Sequence, residues 1–283
     1  MIVPRLGFGT ASVLGGVGSR RSVRAIRQAY ELGIRHFDTA RSYGWGEAEW
    51  LLGKTLRALP RDSYTLVSKC GLVPARRSHV LSFAKSAARQ LLRVLPPARG
   101  LVRSVASNAR FQPTGTYDVR TLSDSVETSL AELGTHYLDL LLLHNFESGK
   151  AGLPEVLRWF RELKARGSIR RIGFSVEGEL VESLRFLAAQ GALEEAVIQV
   201  PMSAALLELP SEWRNVSFIA HSPLRYLAKT GRSLGAHEIR DLFRQVARAC
   251  RCEAIVCSMF SPAHMRSNLA ARQAAAALET TQC

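Results

Sequence analysis

The stretch "RHFDTARSYGWGEAEWLLGKTL", Arg35 to Leu56, runs from an apolar segment into a helical pattern. Asp38 closes the first, and Tyr43 stands beside two glycines five residues later. A carboxylate and a phenol this close to a strand end raise the question of what chemistry they serve. The tripeptide Gly53, Lys54, Thr55 imitates the close of a phosphate-binding loop. That loop needs a glycine where Ala48 stands, and it opens a helix, whereas this tripeptide lies inside one.

The same alternation extends along the chain. Short β-branched or leucine-rich runs are expected as strands at Arg5–Gly9, Ile34–Asp38, Tyr64–Lys69, Tyr137–His144, Ile169–Ser175, Ala196–Val200, Val216–Ala220 and Ala254–Ser258. Between them, "RSVRAIRQAYELG", "DSVETSLAELG", "PEVLRWFRELKARG" and "EIRDLFRQVARAC" place apolar residues at three- and four-residue intervals, as amphipathic helices do. The first two end in a glycine placed as a helix stop, and the third opens with proline at a first-turn position. Alternating strands and helices imply parallel strands joined by right-handed crossovers. Eight such units close into an α/β fold, a (β/α)8 TIM barrel, read as one domain over residues 1–283.

Composition agrees with a globular barrel: 47% of the 283 residues are hydrophobic and 22% charged. The amino end has no basic start followed by a long apolar segment. The longest apolar run, "LDLLLLH", is far short of the roughly 20 residues that span a bilayer. A cytoplasmic protein without a membrane partner is expected. Cys70, Cys250, Cys252, Cys257 and Cys283 form neither an even disulfide framework nor paired CxxC units, so no metal site is expected.

The net charge of +14 would suggest nucleic acid, but its distribution weakens that reading. Arg76, Arg77, Lys85, Arg89, Arg93, Arg99, Arg103 and Arg110 follow one another without a single acid. They fall in a basic insertion, 74–116, between strand 3 and helix 3, far longer than the two to six residues usual there. Within it "SHVLSFAKSAARQLLRVL" reads as a helix with Lys85, Arg89 and Arg93 on one side. A lid with solvated cations, a grip on an anionic substrate or cofactor phosphates, and a basic surface for a membrane or nucleic acid all fit this pattern. Aromatic interleaving, which single-strand binding wants, is confined to Phe83 and Phe111.

In a (β/α)8 barrel the active site is built at the C-terminal strand ends. There the expected strands end in polar groups: Asp38, Lys69, His144 and Ser175, with Gln199 near the end of the sixth. A tyrosine, with an ordinary pKa near 10, is a poor proton shuttle at neutral pH. A nearby lysine favours the phenolate, and an aspartate keeps that lysine charged and aimed. Tyr43, Lys69 and Asp38 supply such a chain, and His144 supplies a hydrogen bond to a carbonyl oxygen held against Tyr43.

These residues carry a family likeness. From "LGFGTA" through "GIRHFDTARSYGWGEAEWLLGKTL", "LVSKCG", "SLAELGTHYLDLLLLH", "IRRIGFSVE", "AVIQVPMS" and "HSPL" to "SPAHMRSNLA", the sequence resembles the aldo-keto reductase superfamily. The resemblance implies a catalytic tetrad of Asp38, Tyr43, Lys69 and His144. It also implies a nicotinamide cofactor, NADP (as NADPH) with NAD as the alternative, bound without a Rossmann domain. In agreement, "GGVGSRR" lacks the third glycine of that fingerprint. By the same likeness Ser175 and Gln199 hold the nicotinamide carboxamide, and Gly9 and Thr10, with His221, Ser222 and Leu224 in the segment beyond strand 7, also bind the cofactor. Ser258, Arg266 and Asn268 lie towards the adenosine end, with Arg266 the nearest cation for a 2′-phosphate.

Two departures stand out against the family pattern. Val176 occupies the place of an asparagine that holds the carboxamide, and His221 that of a tyrosine that stacks on the ring. The resemblance thus implies reduction of an aldehyde or ketone, or oxidation of the corresponding alcohol or sugar, with weakened cofactor retention. The expected partner is a small-molecule carbonyl or alcohol, anionic or large if the basic insertion grips it, and the expected state a monomer or weak oligomer. The alternative is a catalytically weak cofactor-binding or regulatory subunit on the same fold.

Overall fold

Parity along the strands decides what each side of the sheet becomes. The computed structural model describes residues 2–14, 17–72, 117–231 and 235–280, and eight parallel strands close in chain order. They are β1 (Arg5–Gly9), β2 (His36–Asp38), β3 (Thr65–Cys70), β4 (Leu140–Leu143), β5 (Ile172–Ser175), β6 (Ala196–Pro201), β7 (Ser217–His221) and β8 (Arg251–Cys257), with β8 pairing back onto β1. Around them run α1 (Ser19–Glu31), α2 (Ala48–Leu56), α3 (Val119–Leu133), α4 (Leu153–Ala165) and α5 (Leu180–Ala189). The shorter α6 (Ala204–Leu207) and α7 (Pro223–Lys229) follow, then α8 (Ala236–Ala249) and α9 (Pro262–Thr280). The fold is the expected (β/α)8 barrel. The expected basic insertion 74–116 and its helix lie outside the described residues.

Side chains two residues apart on a strand share a face. The outward set, including Phe8, Phe37, Leu141, Phe174, Ile198, Phe218 and Ile255, packs under the helices in the main core. The inward set makes a separate apolar plug of Val67, Leu140, Leu142, Val197, Ile219, Ala254 and Val256. Two residues further along several of these strands come Lys69, His144, Gln199, His221 and Ser258, while Asp38 and Ser175 follow His36 and Gly173 at the same spacing. The polar residues therefore form an upper tier on the inward register, directly above a filled barrel.

Three strands, β2, β4 and β5, are shorter than the sequence suggests. β4 begins at Leu140 rather than Tyr137: before it the chain keeps a single isolated bridge, Leu138 to Ile169, and the Tyr137 carbonyl accepts from Arg61 Nη2 at 3.0 Å. The Asp139 carboxylate accepts from Arg61 Nη2 at 2.8 Å, Arg170 Nη1 at 3.0 Å and the Leu66 backbone N–H at 2.9 Å. Helix packing also explains Gly53: a Cβ there would collide with the backbone of Leu133, so the glycine lets α2 lie against the end of α3. Its role is close approach, not phosphate binding.

Candidate active site

β2 and β3 lie side by side, and their ends bring the first pair together. Lys69 Nζ donates to Asp38 Oδ1 at 2.6 Å and to the Thr39 carbonyl at 2.9 Å. The second carboxylate oxygen of Asp38 accepts from Gln199 Nε2 at 2.7 Å. Thr10, fully buried, donates its hydroxyl to Thr39 at 2.8 Å and its backbone N–H to the Asp38 carbonyl at 2.9 Å, tying β1 to the end of β2. Burial alone would push the Lys69 ammonium down. The charges of Asp38 and Tyr43, with their hydrogen bonds, more than offset it and hold its pKa above the ordinary value.

Tyr43 opens a 3-10 turn, Tyr43–Gly46, whose Gly44 takes φ +58° under the carbonyl of Val13. The turn is bolted from below. Arg41 Nη1 donates to the Gly46 carbonyl at 3.0 Å and lies 3.7 Å from the buried Glu49 carboxylate. Glu49 also accepts from Ser68, beside Lys69, at 2.6 Å and from Ser129 on α3 at 3.1 Å. Nothing in the residue pattern singled out Arg41 and Glu49 as a brace; the only signal was their place within the Arg35–Leu56 stretch.

The Tyr43 ring meets His144 edge to face, centroids 5.8 Å apart, with Lys69 Nζ 4.9 Å from the phenol ring centroid. Burial raises the Tyr43 pKa, and the Lys69 charge works against it without winning. The net direction corrects the expectation that Lys69 would bring the phenol below its ordinary value: here desolvation is the larger effect. His144 is pushed down to about 3, first by burial and then by the Lys69 charge, so its ring is neutral. Its Nδ1 is buried without a hydrogen-bond partner among the described residues, and Nε2 is the nitrogen that can present a proton to a substrate oxygen.

Beside this group opens a cleft of about 300 Å³, at the lower end of small-molecule sites. Gly9, Asp38, Tyr43, Gln199, His221, Ser222, Leu224 and Ser258, all named in the sequence reading, line it. Arg225, which that reading missed, lines it too and is exposed, a cation suited to phosphate. Ser175 is buried at the end of β5 outside the lining. Arg266 is exposed on α9, and Asn268 is buried with its amide nitrogen 3.2 Å from Met259 Sδ; neither is part of the lining. Glu177, also missed, reaches His221: its Oε1 lies 3.2 Å from Nε2, while His221 Nδ1 lies 3.0 Å from the Ser222 hydroxyl.

A nicotinamide fits these donors. With Gln199 Nε2 committed to Asp38, its Oε1 remains as an acceptor for a carboxamide N–H. His221 offers a ring face, and Gly9 keeps the floor low, since a Cβ there would come within 2.9 Å of Val256.

A phenol, an ammonium and a neutral imidazole converging above a plugged barrel have the layout of a barrel enzyme with an acid–base centre. The chain belongs to the aldo/keto reductase family of oxidoreductases: residues 5–245 match the model of the Aldo/keto reductase family. The NADH-specific methylglyoxal reductase of Escherichia coli (strain K12) is 28% identical over 177 residues, 60% of this chain and 47% of that protein. The L-galactose dehydrogenase of Arabidopsis thaliana is 28% identical over 180 residues, 61% of this chain and 44% of that protein. The matched segment thus spans less than half the length of these relatives. Among solved structures, an aldo/keto reductase from Klebsiella pneumoniae in complex with NADP and acetate superposes with a TM-score of 0.64 at 25% identity, covering 95% of this chain and 86% of that one.

Proposed function

We propose that this chain, acting as a single barrel domain, interconverts a small-molecule aldehyde or ketone and its alcohol with a nicotinamide cofactor, NADP in preference to NAD. The observation that carries the reading is the buried Lys69–Asp38 pair at 2.6 Å set directly beside Tyr43 and His144.

When bound, a reduced nicotinamide supplies the hydride to the carbonyl carbon. Every other part belongs to the chain. His144, neutral, holds the carbonyl oxygen through its Nε2 proton, and Tyr43 gives that oxygen a proton as negative charge develops on it. Lys69 stabilises the phenolate left behind, and Asp38, held by Gln199 and Lys69, keeps the ammonium in place. Among the described residues, Arg225 in the cleft lining and Arg266 on α9 are cations suited to the cofactor phosphates, the basis for NADP. An anionic substrate suits the surplus of positive charge.

A second reading, a cofactor-binding subunit with little turnover, is favoured by one observation: the Gln199 amide and the His221 ring are already engaged by Asp38 and Glu177. Titration of the purified protein with NADPH and NADH, with and without a panel of aldehydes, ketones and sugars, separates the two. Carbonyl-dependent loss of reduced-nicotinamide absorbance that disappears in Tyr43→Phe, with binding retained, supports the enzyme. Binding without oxidation across the panel supports the subunit. Weaker NADPH binding in Arg266→Ala with NADH binding unchanged supports the phosphate assignment.

A further inference from the structure

Beyond the four groups proposed for the chemistry, the barrel mouth holds another carboxylate. Glu177 follows Val176 immediately beyond β5 and reaches across to β7, where its Oε1 lies 3.2 Å from His221 Nε2. A neutral imidazole satisfies both of its contacts, donating from Nε2 to Glu177 and accepting at Nδ1 from the Ser222 hydroxyl 3.0 Å away. His221 lines the cleft, so the carboxylate stands directly behind a wall of the cofactor site.

The charges at the mouth then sum simply. Asp38 and Lys69 cancel at 2.6 Å. His144 is neutral and Tyr43 protonated. Glu177 then carries the charge beside His221, while Arg225 is a cation elsewhere in the lining. Burial pushes the Glu177 carboxyl up, but the hydrogen bond from His221 and the Lys69 charge act against it, and the carboxyl stays below the ordinary range.

We infer that Glu177 is a specificity-determining residue that makes the cleft prefer the oxidised, cationic nicotinamide ring to the neutral reduced ring. The inference rests on the cofactor site proposed above and deepens it. A fixed negative charge stabilises a nearby cation and does little for a neutral ring of the same shape. Because the Glu177 side chain is 47% exposed, the preference is moderate and sensitive to salt. Tighter holding of the oxidised form makes the bound reduced cofactor a stronger hydride donor, which favours carbonyl reduction at the site.

The test is a pair of binding titrations, by calorimetry, of wild type and Glu177→Gln with NADP+ and NADPH, and with NAD+ and NADH. The amide keeps the shape and an acceptor for His221 while removing the charge. The expected result is a loss of affinity for the oxidised form of about threefold to tenfold relative to the reduced form, shrinking as ionic strength rises. Parallel changes in both forms, or none, overturn the inference. So does an unchanged ratio with an altered KM for the carbonyl, which would set the carboxylate against substrate. If wild type binds none of the four dinucleotides, the proposed cofactor site falls and this inference with it. Binding by wild type with a ratio indifferent to Glu177→Gln sinks the inference alone.

Discussion

Asp38 and Lys69 meet at 2.6 Å with side-chain exposures of 5% and 1%, and the second Asp38 oxygen is taken by Gln199. Neither charge has water to fall back on. The pair is consequently a hazard as well as a tool: each member is tolerable only while the other is present.

Lys69→Met is therefore expected to destabilise the fold by about 3 kcal/mol or more, because it strands a buried carboxylate. The double variant Lys69→Met with Asp38→Asn should regain most of that loss and none of the turnover. Denaturant titration of the three proteins checks it; a double variant no more stable than Lys69→Met would contradict the account.

His144 and His36 both hold pKa values below the ordinary 6.5, His144 down to about 3, with burial the leading cause in each. Below about pH 6.5 the unfolded chain binds protons at these rings while the folded chain does not. Their contribution to stability is thus complete above about pH 6.5 and is lost as pH falls towards 3. Unfolding midpoints measured from pH 8 to pH 4.5 should decline below pH 6.5, and less steeply in His36→Gln. A midpoint that rises on acidification would show the rings charged in the fold.

Glu49 braces the Tyr43 turn through Arg41 and ties it to Ser68 and Ser129, and burial raises its pKa against those hydrogen bonds. Glu49→Ala should cost about 3 kcal/mol and lower kcat more than it raises KM, since the phenol loses its footing. Glu49→Gln, which keeps an acceptor and a neutral group, should restore most of both. Steady-state kinetics with thermal melts distinguish this from general loosening, in which kcat recovers only as far as the melt does.

Gly53→Ala puts a methyl group into the Leu133 backbone. The expected cost is about 2 kcal/mol from separation of α2 and α3, with NADPH affinity unchanged. Loss of NADPH affinity at unchanged stability would instead revive a phosphate role for Gly53-Lys54-Thr55.

The eight strands were legible because each inward-and-outward apolar run is short, and the helices between them carry a different period. Boundaries were less so: β4 starts three residues late, with only an isolated Leu138–Ile169 bridge before it, and Arg61, Arg170 and Leu66 gather on the Asp139 carboxylate, partners invisible to a local pattern. The same holds at the site. Asp38, Lys69 and His144 could be placed because each terminates an apolar strand, and the structure does bring them to Tyr43. That the Gln199 amide turns to Asp38, 161 positions away, depends on closure of the barrel. So does the pairing of Glu177 with His221. Distances of that kind belong to the ring of strands, not to any segment of it.

The apolar plug below and the polar tier above sit on one register, a single step of two residues apart. This arrangement makes the molecule divisible for anyone who wishes to redirect it. Exchanges at His221 and Ser258 alter what the mouth accepts while Ile219 and Val256 beneath them go on filling the barrel. A one-residue deletion within β7 or β8 would instead turn the filler towards the helices and the reactive groups with it. Tolerance to rewriting and intolerance to slippage are thus two faces of the same period-two geometry, and a library confined to the upper tier should yield folded proteins with changed preferences.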